Sequence, residues 1–332
     1  MQKRGQVRGK AKADQRSLRP LIITLSGAFH LLKHLKAKNL EVEPIKLKKF
    51  PDQELDLALS RKAVNALSKG KLVIFLQSFW PRPNEKLLEA FFASFLVKQL
   101  YSQNKKKPIK KKAKLYLIAL YMPYLRKDKA WFKGDCPTAF ALPELLKSFD
   151  SILVVEPHLH RIKQLADLFG NKAKKISLAK LIAEFIKKKF IKKPKDKLSL
   201  LLIGPDEESL TWIKQIGSLL SVPWLVLKKH RYGPRKIKLK KISKDLKKVK
   251  GKTCIVIDDM ISTGTTLLET FKLLTHAGAS SLVGIAFHGL LIGDALNKLN
   301  RFAKIYCTNT LPSKAALIDI SARIKEIINE IK

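Results

Sequence analysis

Short apolar runs recur along the chain, each followed by a stretch with helical spacing. They are Leu21–Leu25, Leu72–Leu76, Leu115–Leu120, Ile152–Val155, Leu198–Ile203, Trp224–Leu227, Cys254–Ile257 and Leu282–Phe287. Apolar runs of this length, bounded by polar loops, read as strands buried on both faces, as in a parallel sheet. Between several of them lie helical patterns. One is predicted from Asn84 or Glu85 to about Gln99, with Leu87, Leu88, Phe91, Phe92, Phe95 and Leu96 on its apolar face. Pro83 precedes it and Asn84 suits its N-cap. A second is predicted from Thr266 to His276, stopping at Gly278.

Alternating strands and helices predict an α/β protein with mainly parallel sheets flanked by helices. The runs are too many for one small sheet, and 332 residues suffice for two domains. We place a basic disordered tail at 1–19, domains at 20–160 and 161–310, and a C-terminal helix in 311–332 packing back on the first domain. The Lys-rich segment Leu181–Lys197 is the expected seam. Leu21–Ser26 reads as the first core strand rather than a secretory leader. No small-residue cleavage site follows it, and His30, Lys33 and His34 interrupt the apolar stretch.

Composition narrows the picture. An apolar content of 46% supports a packed core. Lys and Arg number 67 against 27 Asp and Glu, a net charge of +40, which attracts polyanions. The lysines are spread along the whole chain as solvated surface. With no basic stripe carrying interleaved aromatics, no specific nucleic-acid partner is expected. No apolar run reaches the length of a membrane span, so no membrane partner is expected either. Cys136, Cys254 and Cys307 stand far apart, with no C-x-x-C or Cys/His cluster to hold zinc. Three scattered cysteines fit a reducing cytoplasm.

The most informative stretch is Thr253–Leu268, TCIVIDDMISTGTTLL. The strand Cys254–Ile257 is expected to end at Asp258 and Asp259, with a Ser-Thr-Gly-Thr-Thr loop opening the next helix. A small hydroxyl-rich turn at a helix N-terminus is a phosphate cradle. Gly264 lets the backbone approach an anion, and the first helical N–H groups face it. Ser262, Thr263, Thr265 and Thr266 add hydroxyl donors. The paired carboxylates would repel phosphate, so they suit sugar hydroxyls or a metal ion.

In open α/β sheets, ligands sit beyond the carboxyl ends of strands. The residues following the other runs therefore matter. Phe50-Pro51-Asp52-Gln53-Glu54 reads alone as a Pro-Asp turn. Gln77–Glu85 is a loop opening a helix. Tyr121–Lys129 packs Arg126, Lys127, Asp128 and Lys129 beside aromatics, which suits a triphosphate or a stacked base. Glu156 and His158, two apart at a strand end, can share a cation. Asp206-Glu207-Glu208 is an acidic cluster that would equally complement a helix dipole. Lys228–Arg235 is a basic loop with Gly233 and Pro234 that could fold over a polyphosphate.

In order, these segments resemble ribose-phosphate pyrophosphokinases (PRPP synthetases) from about residue 20 onward. VIDDMISTGTT looks like the ribose-5-phosphate-binding loop of phosphoribosyltransferase-fold proteins. FPDQE resembles the family's F-P-D-G-E, QSFWPRPNE its Q-S-x-x-x-P-x-N-E, MPYLRKDK its P-Y-x-R-Q-D-K, and VVEPHLHRI its V-D-P-H-L-H-R. GPDEES stands where the family has a magnesium-holding P-D. A phosphoribosyltransferase consuming PRPP would share only the first of these.

The resemblance implies two phosphoribosyltransferase-type domains, ATP and ribose 5-phosphate as substrates, Mg2+ as cofactor, and a homo-oligomer, either hexamer or dimer. It implies transfer of the β,γ-diphosphoryl group of ATP to the ribose 1-hydroxyl, giving PRPP and AMP. Lys229 and Arg231 match the K-x-R of the catalytic loop. Phe50, Asp52, Gln53, Glu54, Arg126, Lys127 and Asp128 match the ATP segments, with Asp52 and Glu54 serving a neighbouring subunit. Asp258, Asp259 and the loop Ser262, Thr263, Gly264, Thr265, Thr266 match the ribose-5-phosphate site, with Arg231 beside them. His158, Asp206 and Glu156 match the magnesium positions. No G-x-x-x-x-G-K-[ST] is present, as expected of a family that uses no P-loop. The chain departs from the pattern where Gln53 replaces a glycine, Lys127 a glutamine and Glu156 an aspartate. The acidic GPDEES also lacks the usual glycine pair. These departures would also suit a non-catalytic regulatory relative.

Overall fold

The structure, a computed structural model, describes residues 20–38, 40–69, 71–103, 114–227, 230–231, 237–238 and 245–331, with the backbone alone at 230, 231, 237, 238 and 245. The chain divides into two compact units, Met1–Ile176 with Ile324–Lys332, and Ser177–Arg323.

In the first unit the strands are β1 (Leu21–Thr24), β2 (Val42–Pro44), β3 (Lys46–Lys49), β4 (Leu55–Ala58), β5 (Val73–Ser78), β6 (Leu115–Tyr121), β7 (Ser151–Val155) and β8 (Ala173–Ile176). Six of them form one parallel sheet in the order β2-β1-β5-β6-β7-β8. β3 and β4 form a separate antiparallel hairpin. The central strands carry the apolar runs, and every residue of β1 and β5 is buried. Phe75 meets Phe149 edge-on, ring centroids 5.8 Å apart, in the core of this unit.

The helix predicted from Asn84 spans Pro83–Gln103 but buries only part of the predicted face. Leu87, Ala90, Ala93 and Val97 pack inward, while Leu88, Phe91, Phe92 and Phe95 lie exposed. Polar and apolar residues are spread round the helix, and Lys86, Glu89 and Ser94 are buried on its inner face, so periodicity alone does not choose that face. Alanines at 90 and 93 let the backbone approach the core closely, and the bulky phenylalanines are left outside.

The second unit contains β9 (Leu200–Gly204), β10 (Trp224–Val226), β11 (His230–Arg231), β12 (Ile237–Lys238), β13 (Thr253–Ile261), β14 (Ser281–Gly289), β15 (Lys304–Thr308) and β16 (Ala316–Ile318). Its parallel sheet runs β10-β9-β13-β14-β15-β16, and β11 pairs with β12 antiparallel. After β9 the chain places β10 on one side and then β13 on the other. The crevice beyond the carboxyl ends of β9 and β13 is thus a topological switch point.

Three expectations meet a different outcome. The unit boundary follows β8, at Ile176, whereas the sequence reading divided the chain at 160. The first half of the expected seam, from Leu181, lies in the helix Ala179–Phe190 of the second unit, which is amphipathic and buries Ala179, Ile182, Ala183 and Ile186. The C-terminal helix begins at Ser321, because Ala316–Ile318 extends the second sheet. From Ile324 onward this helix groups with the first unit, where Lys325, Ile328 and Asn329 line a cavity with Pro20, Ile22, Leu40 and Glu41. Among the described residues no helix is long and apolar enough to cross a membrane.

Candidate active site

β13 does not end at the aspartates but continues through them to Ile261. Strand pairing to β14 persists along this edge, with Asp258 opposite Ala286 and Met260 opposite His288. Asp258 is buried, and its Oδ1 accepts the Asp259 N–H at 3.0 Å. Asp259 is half-buried. From the helix Leu210–Leu220, the Trp212 indole N–H donates to the Ile257 carbonyl at 3.2 Å. Trp212 in turn stands edge-on to Phe287 at 6.1 Å.

The loop after β13 is short and braced. Leu291 N–H donates to the Ile261 carbonyl at 2.9 Å, and Ile292 N–H to the Ser262 carbonyl at 3.0 Å. Thr263 and Thr265 hydroxyls lie 3.1 Å apart. Gly264 takes φ +78° and caps the helix Thr265–His276, whose Leu268 N–H donates to the Gly264 carbonyl at 2.9 Å. The positive end of the helix dipole therefore sits at the loop, where it favours an anion. A β-carbon on Gly264 would fall 3.0 Å from Leu299 Cδ1. Glycine is required here by both its dihedral and its neighbour. The residues that brace the loop, Leu291, Ile292 and Leu299, carry no chemical signal in the sequence.

Arg231 pairs in the β11–β12 ladder opposite Ile237. Its side chain and Lys229 lie outside the described residues. Asp206, just past β9, is half-buried and starts the short turn Glu207–Ser209. Asp206 and the aspartates of β13 thus flank the switch point of this sheet.

In the first unit, Phe50, Asp52, Gln53 and Glu54 form the tip between β3 and β4. The turn is closed by Phe50 N–H to the Glu54 carbonyl, and Gln53 N–H to the Phe50 carbonyl, each at 2.9 Å. Asp52 Oδ1 accepts the Glu54 N–H at 3.1 Å. Gln53 has φ +76°, a left-handed conformation that costs a side chain about 1–2 kcal/mol and glycine nothing comparable.

Arg126 is exposed. The Lys127 ammonium is paired with Asp135, and this contact holds the Asp135 carboxyl below its ordinary range. Asp128 is buried and accepts the Arg161 backbone N–H at 2.9 Å and its guanidinium at 2.8 Å. Burial works to raise the Asp128 carboxyl, but these Arg161 bonds outweigh it and the net shift is downward. Glu156 has φ +36° and is almost fully buried. Its carboxylate meets the Lys175 ammonium at 2.8 Å. His158 is half-buried. Among the described residues no three of His, Cys, Asp and Glu converge as a ready-made metal centre.

The sequence reading missed a buried polar network at the switch point of the first sheet, between β1 and β5. Ser26 donates to Glu89 through its N–H at 2.6 Å and its hydroxyl at 2.5 Å. Gln77 accepts Gly27 N–H at 2.9 Å and donates to Glu89 at 3.2 Å. Lys86 completes it by bonding the Ser26 hydroxyl. A β-carbon on Gly27 would overlap the Ser78 carbonyl at 1.8 Å, so the chain itself fills this crevice.

Comparison with known proteins follows the same division. The model of the phosphoribosyl transferase domain matches residues 166–288, which span β9, β13, the loop and β14. The whole chain is 28% identical over 312 residues to the ribose-phosphate pyrophosphokinase of Pyrococcus furiosus, covering 93% of this chain and 99% of that one. It is 25% identical over 321 residues to the enzyme of the same name from Methanobrevibacter smithii, covering 93% and 100%. Over nearly its whole length the chain is similar to ribose-phosphate pyrophosphokinases. The fold agrees: the crystal structure of phosphoribosylpyrophosphate synthetase from Mycobacterium smegmatis superposes with TM-score 0.73 at 24% identity, over 94% of this chain and 99% of that one. The similarity to these relatives extends over the first unit, of which the family model matches only residues 166–176.

Proposed function

We propose that this chain is a ribose-phosphate diphosphokinase. It would transfer the β,γ-diphosphoryl group of Mg-ATP to the 1-hydroxyl of ribose 5-phosphate, giving PRPP and AMP. The observation that carries this reading is the pairing, at one strand end, of Asp258 and Asp259 with a braced anion cradle at a helix N-terminus. An acceptor pair beside a phosphate cradle matches the two ends of a sugar phosphate. Ser262, Thr263, Thr265 and Thr266 bind the 5-phosphate, with Gly264 setting the turn, and the aspartates accept from the ribose hydroxyls.

Phe50, Asp52, Gln53, Glu54, Arg126, Lys127 and Asp128 are assigned to ATP. Asp128 contributes by orienting Arg161 and the segment itself. Lys229 and Arg231 are assigned to the transferring group. Phosphoryl transfer needs positioning and charge neutralisation more than covalent help, which suits cations of this kind.

Asp206, in the second unit, offers the oxygen that magnesium favours; His158, in the first, offers an imidazole nitrogen and fits less well. This ion takes few protein ligands, favours oxygen, and keeps waters and phosphate oxygens in its shell. Glu156 fits less well, since Lys175 already neutralises its buried carboxylate. Magnesium, when bound, supplies charge neutralisation of the polyphosphate.

Leu88, Phe91, Phe92 and Phe95, exposed along one helix, support a homo-oligomer. The cytoplasm is the proposed location. A second reading, a non-catalytic relative, is favoured by the engagement of Lys127 with Asp135 and of Glu156 with Lys175.

The test of the site is Asp258→Asn. It keeps the shape and removes the charge that sugar hydroxyls meet. The KM for ribose 5-phosphate should rise, or turnover fall, with ATP affinity little changed. Equal loss of both affinities in a folded variant would refute a dedicated sugar site.

A further inference from the structure

The loop from Lys129 to Asp135 displays the two most exposed aromatic side chains among the described residues, Trp131 at 65% and Phe132 at 70%. It is built to hold them there. Asp135 accepts the Trp131 N–H at 2.9 Å and pairs with the Lys127 ammonium. Asp135 N–H donates back to the Phe132 carbonyl at 3.1 Å, and Gly134 makes the turn at φ +94°. Exposed aromatics on a braced turn lose little further freedom when something stacks on them.

Cations surround them. Lys129 Nζ lies 4.7 Å from the Trp131 ring centroid and Arg161 Cζ 5.4 Å from it. Lys133 follows Phe132 directly. Asp128 fixes the Arg161 guanidinium from behind, at 2.8 Å. The patch joins flat π-surfaces to positive charge in a chain of net charge +40. An apolar protein partner would have to bury those cations, at a desolvation cost. A strand of unpaired bases and phosphates satisfies both features, because bases stack on aromatics while phosphates meet the cations.

We propose that this loop docks single-stranded nucleic acid without sequence preference. Trp131 and Phe132 are its stacking platform, and Lys129, Lys133 and Arg161 are its phosphate contacts. The inference does not rest on the diphosphokinase reading.

The experiment is fluorescence anisotropy of a labelled oligothymidylate titrated with the full chain at low and moderate salt, beside a duplex of equal length. Trp131→Ala and Phe132→Ala are compared with the unaltered protein, with thermal melts to confirm folding. Oligothymidylate binding should weaken with salt, since counterion release drives its charged part. Each aromatic loss should weaken single-strand binding about tenfold, equivalent to about 1.4 kcal/mol. Duplex binding, which offers no open bases, should not change.

Three outcomes would overturn the proposal. One is no binding by the unaltered protein. Another is equal binding by the folded Trp131→Ala/Phe132→Ala variant. The third is equal loss for single strand and duplex, which would reduce the patch to general charge attraction.

Discussion

Gly264 and Leu299 are in near-contact: the glycine carries φ +78°, and a β-carbon there would meet Leu299 Cδ1 at 3.0 Å. The helix Ala295–Asn300 thereby presses on the turn that opens Thr265–His276, fixing the anion cradle from outside the site. Such support costs the site no mobility when a ligand arrives.

Gly264→Ala should therefore lower stability by about 1–2 kcal/mol from the left-handed dihedral alone, with the contact adding to it. Leu299→Ala in the same chain removes the contact and leaves the dihedral. Denaturant melts of the single and double variants separate the two. The double variant should differ from Leu299→Ala by the dihedral cost only. Full additivity of the two single changes would mean the contact carries no energy.

The Asp128–Arg161 pair predicts an acid-sensitive first unit. The Asp128 carboxyl is held below its ordinary value of 3.8 by the Arg161 bonds, against the opposing effect of burial. A carboxyl with a depressed folded pKa contributes stability that is present above its unfolded value and lost as pH falls through the folded one. Stability should thus drop below about pH 4, and Arg161→Ala should flatten that limb. At neutral pH the same variant should cost about 2 kcal/mol, because a buried carboxylate loses a charged partner. Thermal melts from roughly pH 2 to roughly pH 7, spanning both sides of the ordinary carboxylate value, check both. An unchanged acid limb in Arg161→Ala would contradict the account.

The phenylalanines left outside Pro83–Gln103 predict self-association. Phe91 and Phe95 stand one turn apart, and Phe91 lines a cavity of about 420 Å³ with Leu87, Leu88, Tyr124, Leu142 and Leu145. Light scattering should find an oligomer, and Phe95→Glu should shift it toward smaller species without unfolding the chain. A monomer in both cases would contradict an interface on this helix.

The strands were the legible part. Each of the eight apolar runs contains all or most of a strand or of its core, because burial on both faces leaves an uninterrupted apolar signature. The edges were harder to see. β8 reads AKKI, and β16 is three residues long. Edge strands can expose one face or one end, so their composition carries less signal. The inner face of Pro83–Gln103 was misread because size and periodicity pointed to the phenylalanines, while close packing favoured Ala90 and Ala93.

At the site, Asp258, Asp259 and the hydroxyl loop were readable as chemistry. The continuation of β13 through the aspartates was not, since two adjacent charges look like a strand end. Leu299, Leu291 and Ile292 act by packing and backbone bonds, which no local motif marks. The left-handed Gln53 explains in structural terms why a glycine is expected in that turn. The aromatic and basic residues 129–133 were visible in the sequence, but Arg161 joins them only in the folded unit.

The central claim is tested most directly by mixing the purified chain with ATP, magnesium and ribose 5-phosphate, with no nucleobase present, and measuring AMP. The account predicts AMP and PRPP in equal amounts, with neither formed when ribose 5-phosphate is omitted. Failure to form AMP from a folded protein that still binds both substrates would contradict it and establish the non-catalytic reading instead.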